Sequence, residues 1–272
     1  MSFLKRLFNV YISGSFHVAL MVLSFHELTR LQWELDIQNN ERLLVFCLAF
    51  LGYNGIKYYP ISDKIKVNRM FYRLVLGFCS FFLFVSLYLF FYLNWVQQLL
   101  VILSFLFCCA YVFPFPKVQQ NLRNIFGVKI FIVATCWTLI TAVLPLMHVV
   151  EFSTGHVVFF LSRFILIFVA TLPFEISDFS HDVTTLGTIP QIIGIAQTRA
   201  LGLILLFTIV GLTVFLFSLE SVSTLATLII VAAYSLSLLT ISPSSSKNIT
   251  LFWVEAIPLV GLAVFLLKSF LI

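Results

Sequence analysis

The chain has 272 residues, of which 61% are hydrophobic and only 10% charged, with a mean hydropathy of +1.08. A soluble domain carries about a quarter charged residues, so this composition excludes a water-soluble enzyme and requires an integral membrane protein. The formal charge of +5 is not a nucleic-acid signature, because the basic residues sit in short loops between apolar runs, where they set topology and meet lipid headgroups.

A membrane span needs roughly 20 apolar residues. On that rule nine transmembrane helices are expected, near 10–29, 42–59, 71–93, 96–113, 128–147, 156–174, 199–218, 222–241 and 249–271. The first follows a basic start, MSFLKRLF, yet has no small-residue cleavage site and carries His17, His26 and Glu27. It reads as a retained helix, not a signal peptide. His17 and His26 suit interhelical hydrogen bonds better than metal chelation. The third and fourth spans are separated only by Asn94-Trp95, which reads as a tight outside hairpin. Arg163 falls within the sixth span, where an unpaired charge costs on the order of 3 kcal/mol. It therefore needs a partner, a carboxylate such as Glu27 or Glu255, or else a polar cavity. Glu255 in FWVEAIP poses the same problem. His148 and His156 are expected in a solvated outside loop. The five cysteines all lie in apolar spans without a CxxC pair and read as small buried side chains. No linker or low-complexity tail interrupts residues 1–272, so a single domain is expected.

Orientation follows from the loop cations. With the N-terminus inside, the inside segments hold twelve: Lys5, Arg6, Lys57, Lys64, Lys66, Arg69, Arg73, Lys117, Arg123, Lys129, Arg199 and Lys247. The outside segments hold three, Arg30, Arg42 and Lys268. This bias predicts a cytoplasmic N-terminus and an outside C-terminus. It also brings the loops after spans 2, 4 and 6 to one cytoplasmic face.

The loop after span 6 holds the densest chemistry. The stretch TLPFEISDFSHDVTTLGTIPQIIG, residues 171–194, places Glu175, Asp178 and Asp182 at i, i+3 and i+7. Wound as a helix, these share one stripe, and three like charges on a stripe call for a cation. A hard divalent ion such as Mg²⁺, which shares its shell with substrate phosphates, meets that need. A solvated acidic helix end is the plainer alternative. Ile61-Ser62-Asp63 after span 2 echoes Ile176-Ser177-Asp178, a faint sign of two related halves. His181, between the two aspartates, reads as a loop residue.

Together these features resemble the UbiA-type membrane prenyltransferases, nine-helix proteins with two Asp-rich cytoplasmic motifs. The second motif of that family, D-x-x-D-x-x-x-D followed by Gly, T-L-P and L-G, is matched here by Glu175, Asp178, Asp182, Gly187, Thr188-Ile189-Pro190 and Gly194. The loop after span 4, YVFPFPKVQQNLRN, resembles the family's Tyr-Pro-basic segment through Tyr111, Pro114, Lys117 and Arg123. More narrowly, LPFEISDFSHD, TIPQIIG and FWVEAIP are similar to UbiA-like membrane proteins of flavobacteria. The first motif, N-D-x-x-D-x-x-x-D, is degenerate: the matching positions read Asn54, Gly55, Tyr58 and Ser62, with Asp63 one residue beyond and Lys57 in the same turn.

The resemblance implies an all-α bundle with a central cavity open to the cytoplasmic loops, in the bacterial cytoplasmic (inner) membrane. It implies Mg²⁺ held by Glu175, Asp178 and Asp182, with Asp178 and Asp182 as the catalytic carboxylates. Asn54, Lys57, Lys117, Arg123 and Arg163 become the candidate substrate-binding residues. The substrates would be a prenyl diphosphate and a lipophilic membrane acceptor. The lost first-motif carboxylates support a rival from another class, a non-catalytic relative that uses the cavity to bind a lipid or a partner protein. A small-solute transporter fits less well, because no span is clearly broken at midplane.

Overall fold

The computed structural model describes residues 8, 10–58, 69–114, 121–125, 127–149, 151–180, 182 and 186–271. Its long helices are α1 (Phe16–Gln32), α2 (Asn39–Tyr58), α3 (Arg69–Phe90), α4 (Trp95–Val112), α5 (Lys129–Leu146), α6 (Thr154–Asp178), α7 (Ile195–Phe217), α8 (Val222–Thr240) and α9 (Lys247–Leu271). Among the described residues, seven of these, α3 to α9, are long and apolar enough to cross a membrane. α1 has only 17 residues, and α2 carries Glu41, Arg42 and Lys57.

Most helices pack on their neighbours in sequence, α1 on α2, α2 on α3, α4 on α5, α5 on α6, α6 on α7, α7 on α8 and α8 on α9, whereas α4 turns from α3 to pack on α2 and α5. α9 then returns against α1, so the bundle closes on itself, while α3 is attached mainly through α2. Phe81, Phe84, Phe91, Phe207 and Phe215 lie exposed on the outer faces of this ring. That much apolar surface is unstable in water and natural against lipid. Inside, small residues let backbones approach. A side chain at Gly202 of α7 would meet Leu238 at 2.6 Å and Leu172 at 3.2 Å, the close helix contact that membrane bundles use in place of a hydrophobic drive.

Polar groups in the bundle find partners in two clusters. In the first, Pro145 of α5 has no N–H to offer the carbonyl one turn earlier, and the backbone around Leu139–Val143 widens into a π turn. The freed Thr141 carbonyl accepts a 2.6 Å bond from the Thr29 hydroxyl of α1. In the second, Glu41 is 3% exposed and receives three donors: His148 Nε2 at 2.6 Å, Gln97 Nε2 at 2.9 Å and His26 Nε2 at 3.0 Å. Glu27 beside it is bridged by Arg30 at 2.8 Å and Arg42 at 3.0 Å. His148 sits in an exposed turn after α5, as expected, yet its ring reaches inward to bond Glu41 beside α2 and α4. His156, expected in the same solvated loop, is instead buried, accepting the Ser153 N–H at the start of α6 and stacking 4.4 Å from the Trp33 ring centre. His26 meets the expectation of an interhelical hydrogen bond, and so does His17, which bonds the Phe252 carbonyl of α9 at 2.8 Å.

The hydrogen bond to Glu41 raises the pKa of His148 from its ordinary value, against the opposing cost of burial. A raised folded-state pKa gives stability that is full below about 6.5 and lost as pH rises through the folded value. Thermal melts in detergent should therefore show stability falling as pH rises above about 6.5. Glu41→Gln should flatten that dependence and cost about 3 kcal/mol near pH 6, because it strips a buried cluster of its charge.

Candidate functional site

α6 ends at Asp178, and its last turn contains Glu175 and Asp178 but no basic residue. Carboxylates at a helix C-terminus face the negative end of the macrodipole, so the arrangement is unfavourable unless cations or N–H groups offset it. Two offsets are present. Glu175, 4% exposed, accepts the Ile189 backbone N–H at 3.0 Å, which ties the helix end to the short helix Ile189–Ile193. Asp182 lies 3.6 Å from Lys129 Nζ, the first residue of the antiparallel α5. A lysine at a helix N-terminus is itself misplaced relative to the dipole. The two unfavourable placements cancel by facing one another.

The loop backbones meet here as well. Gly127 N–H donates to the Leu186 carbonyl at 3.2 Å. Gly127 (φ 71°) and Gly187 (φ 55°) both adopt the left-handed conformation that glycine tolerates. Between them opens a cleft lined by Gly127, Lys129, Ile130, Glu175 and the Leu186–Ile189 backbone, holding about 160 Å³ of empty space, its open mouth included. It is a shallow surface depression with no enclosed room even for a water molecule, far short of a small-ligand pocket, and the central cavity of the sequence expectation is not delineated by the described residues.

Several of the expected site residues come together around this point. Tyr111 of α4 is within electrostatic reach of Arg123, Glu175 and Asp182. Tyr53 of α2 is within reach of Asp178, Tyr111 and Glu255, and Glu255 in turn of Lys57. Among the described residues the ends of α2, α4 and α6 therefore lie at one end of the bundle, with Glu255 of α9 beside them. Asn54 is there too, but its side chain is fully used: it accepts from Ser15 Oγ at 3.0 Å and donates to the Gly14 and Phe50 carbonyls at 3.1 and 2.9 Å. Lys57 donates to the Ser13 carbonyl at 2.9 Å. Both residues fasten the entry of α1 to α2. Lys117, Ser62, Asp63 and His181 lie outside the described residues.

Arg163 is elsewhere. It precedes Asp178 by fifteen residues on one helix, about 22 Å at the helical rise. It is 4% exposed, donates to Thr29 Oγ1 at 3.0 Å and more weakly to Gln32 Oε1 at 3.4 Å, and lies between the Phe25 and Phe159 rings at 4.9 and 5.2 Å. Among the described residues neither Glu27 nor Glu255 pairs with it; a hydroxyl, an amide and two aromatic faces take the place of the expected carboxylate. Sequence reasoning used Lys129 only for topology. The signal it missed was a cation at the first turn of one helix, opposite an acidic last turn of the next.

The carboxylates follow one another along the helix end without converging, and among the described residues no group of three His, Cys, Asp or Glu side chains forms a ready metal cage. Asp182 Oδ2 is nonetheless buried without a hydrogen-bond partner. One orphaned hard oxygen is a single protein ligand of the kind from which Mg²⁺, when bound, completes its shell with phosphate and water oxygens.

No family model matches the sequence, and no curated protein does. Solved structures do match over nearly the whole length. A UbiA homologue from Aeropyrum pernix K1, in its apo form, aligns with a TM-score of 0.65 at 15% identity, covering 93% of this chain and 98% of its own. The fold is that of UbiA homologues. A second, from Archaeoglobus fulgidus and bound to GPP and Mg²⁺, aligns at 0.63 and 14% identity, over 94% and 95% of the two chains. A digeranylgeranylglyceryl phosphate synthase structure aligns at 0.55 and 15% identity, over 97% and 96%.

Arg163 and Thr29 form a structural hub apart from the cleft. Thr29→Val should leave the Thr141 carbonyl unpaired in the bundle and lower stability by about 2 kcal/mol, measured by denaturation in detergent. Ligand binding at the cleft should stay at the wild-type value.

Proposed function

We propose that this protein is a divergent UbiA-like prenyltransferase, moving an isoprenoid chain from its diphosphate to a lipophilic acceptor in the membrane. The observation that carries the reading is the α6 carboxylate cluster, faced by Lys129 and by the α4–α5 loop, within a chain-long UbiA fold. A diphosphate leaving group needs its developing charge neutralised at a preorganised site. In this reading Asp178 and Asp182 hold Mg²⁺, which supplies that neutralisation when bound. Glu175 fixes the loop that carries Ile189, and Lys57, Lys117 and Arg123 are the basic side chains on the approach to the diphosphate.

All nine helices cross the membrane in this reading, with the N-terminus and the cleft on the cytoplasmic side of a bacterial inner membrane. The loop cations support that sidedness. The short apolar turn at Asn94, capped by Gln97, then lies outside. One observation favours a second reading, a non-catalytic relative that binds a lipid or protein: Asn54 and Lys57, the polar remnants of the first motif, are bonded to the backbone of residues 13 and 14.

Binding of geranylgeranyl diphosphate to the purified protein, with Mg²⁺ or with chelator, separates the two. The transferase reading expects binding strengthened at least about tenfold by Mg²⁺ and lost in both Asp178→Ala and Asp182→Ala, in line with 1–3 kcal/mol for each charged contact. Binding indifferent to metal and to both carboxylates would leave only the lipid-binding reading.

A further inference from the structure

Two of the free cysteines meet across a helix seam. Cys108 of α4 packs on Cys136 of α5 in a small core with Tyr111 and Ile132, and the two thiols interact directly. Cys136 is 7% exposed, and its thiol donates to the Ser104 carbonyl at 3.9 Å. In a helix that carbonyl is also the acceptor for the Cys108 N–H, four residues on. The Cys136 sulfur therefore lies against the turn that carries Cys108. On its other side Cys108 borders α2, where a side chain at Gly52 would come within 3.9 Å of the sulfur. Cys108 is half-buried and stands one turn before the end of α4. Phe105, on the same face one turn earlier, is exposed on the outer surface. Cys109 is turned about 100° around the helix, off this seam.

We propose that Cys108 and Cys136 form a redox modification site, a thiol pair that an organic hydroperoxide converts to a disulfide fastening α4 to α5. Access sets the order of events. The more open Cys108 reacts first: its sulfur takes one oxygen, the O–O bond breaks, and an alcohol leaves. The Cys136 sulfur then attacks the sulfenic acid, the S–S bond forms, and water leaves. In sum two thiols are oxidised and one hydroperoxide is reduced to alcohol and water. Thiols already in contact across packed helices meet the short reach that a disulfide demands. Tyr111 follows Cys108 by three residues on the same face, so the bridge would fix the segment that reaches Arg123, Glu175 and Asp182. The proposal stands independently of the prenyl-diphosphate reading.

The test uses the full chain in detergent as wild type, Cys108→Ser, Cys136→Ser and Cys109→Ser. Each is treated with cumene hydroperoxide, alkylated, digested and mapped by mass spectrometry. Wild type and Cys109→Ser should yield a linked pair of peptides carrying residues 108 and 136. Cys136→Ser should instead hold Cys108 as a sulfenic acid that dimedone traps. Oxidation should raise the melting temperature of wild type by at least about 3 °C, and dithiothreitol should reverse the rise. Neither Cys108→Ser nor Cys136→Ser should show it. Thiols that serve only as core side chains would both alkylate after treatment, and that result overturns the proposal. A link from Cys108 to Cys109, or between two chains, overturns it equally. A 108–136 link that leaves the melt unchanged overturns the fastening role.

Discussion

Glu175 and Asp178 occupy the last turn of α6, where the backbone already presents unsatisfied carbonyls and a partial negative charge, and Asp182 follows close behind. Such a concentration persists only if something positive is held against it. What is held against it is the opposite pole of the neighbouring helix: the first turn of α5, with its free N–H groups and Lys129. The rest of the cytoplasmic end follows from this apposition. It sets how closely the α4–α5 and α6–α7 loops approach, and hence why Gly127 and Gly187 are needed where they are. It also leaves a cleft whose walls are backbone amide, ammonium and carboxylate. Those are the groups that handle phosphate.

The remainder of the molecule answers a different constraint. Inside a membrane each polar group must find its partner within the protein. Pro145 breaks one backbone bond in α5, and the cost is met by Thr29, which in turn receives a bond from Arg163. One hydroxyl thereby joins α1, α5 and α6. At the Glu41 cluster a single carboxylate joins α1, α2, α4 and the α5–α6 turn. These hubs fix the helices rigidly, so the loop end can carry charge and small conformational freedom without loosening the bundle.

Much of this was legible in the residue order. Apolar runs gave the α3 to α9 spans to within a few residues, because lipid imposes a length and forbids polar interruptions. The spacing of Glu175, Asp178 and Asp182 marked the acidic end of α6, and the positions of Tyr111 and Arg123 suggested which segment would lie near it. Other features depended on partners distant in sequence. That Arg163 is served by Thr29 and two phenyl rings, and not by a carboxylate, follows from where α1 packs on α6, which no local pattern encodes. His156 looks like a solvated loop residue until the Trp33 ring packed on it is known, and nothing local shows that His148, in an exposed turn, bonds the buried Glu41. Lys129 was read as a topology signal because its meaning appears only when the ends of α5 and α6 are seen together.

The central claim is that the apposed ends of α5 and α6 form a diphosphate site. It is tested most directly by an experimental structure of the full chain with a prenyl thiodiphosphate, which resists loss of its leaving group, and Mn²⁺. The account predicts diphosphate density at the apposed ends of α5 and α6, beside Lys129, Asp178 and Asp182, with the metal against Asp182 and the apolar chain running into the bundle. Density for the analogue bound elsewhere, with the Lys129–Asp182 pair undisturbed, would contradict it.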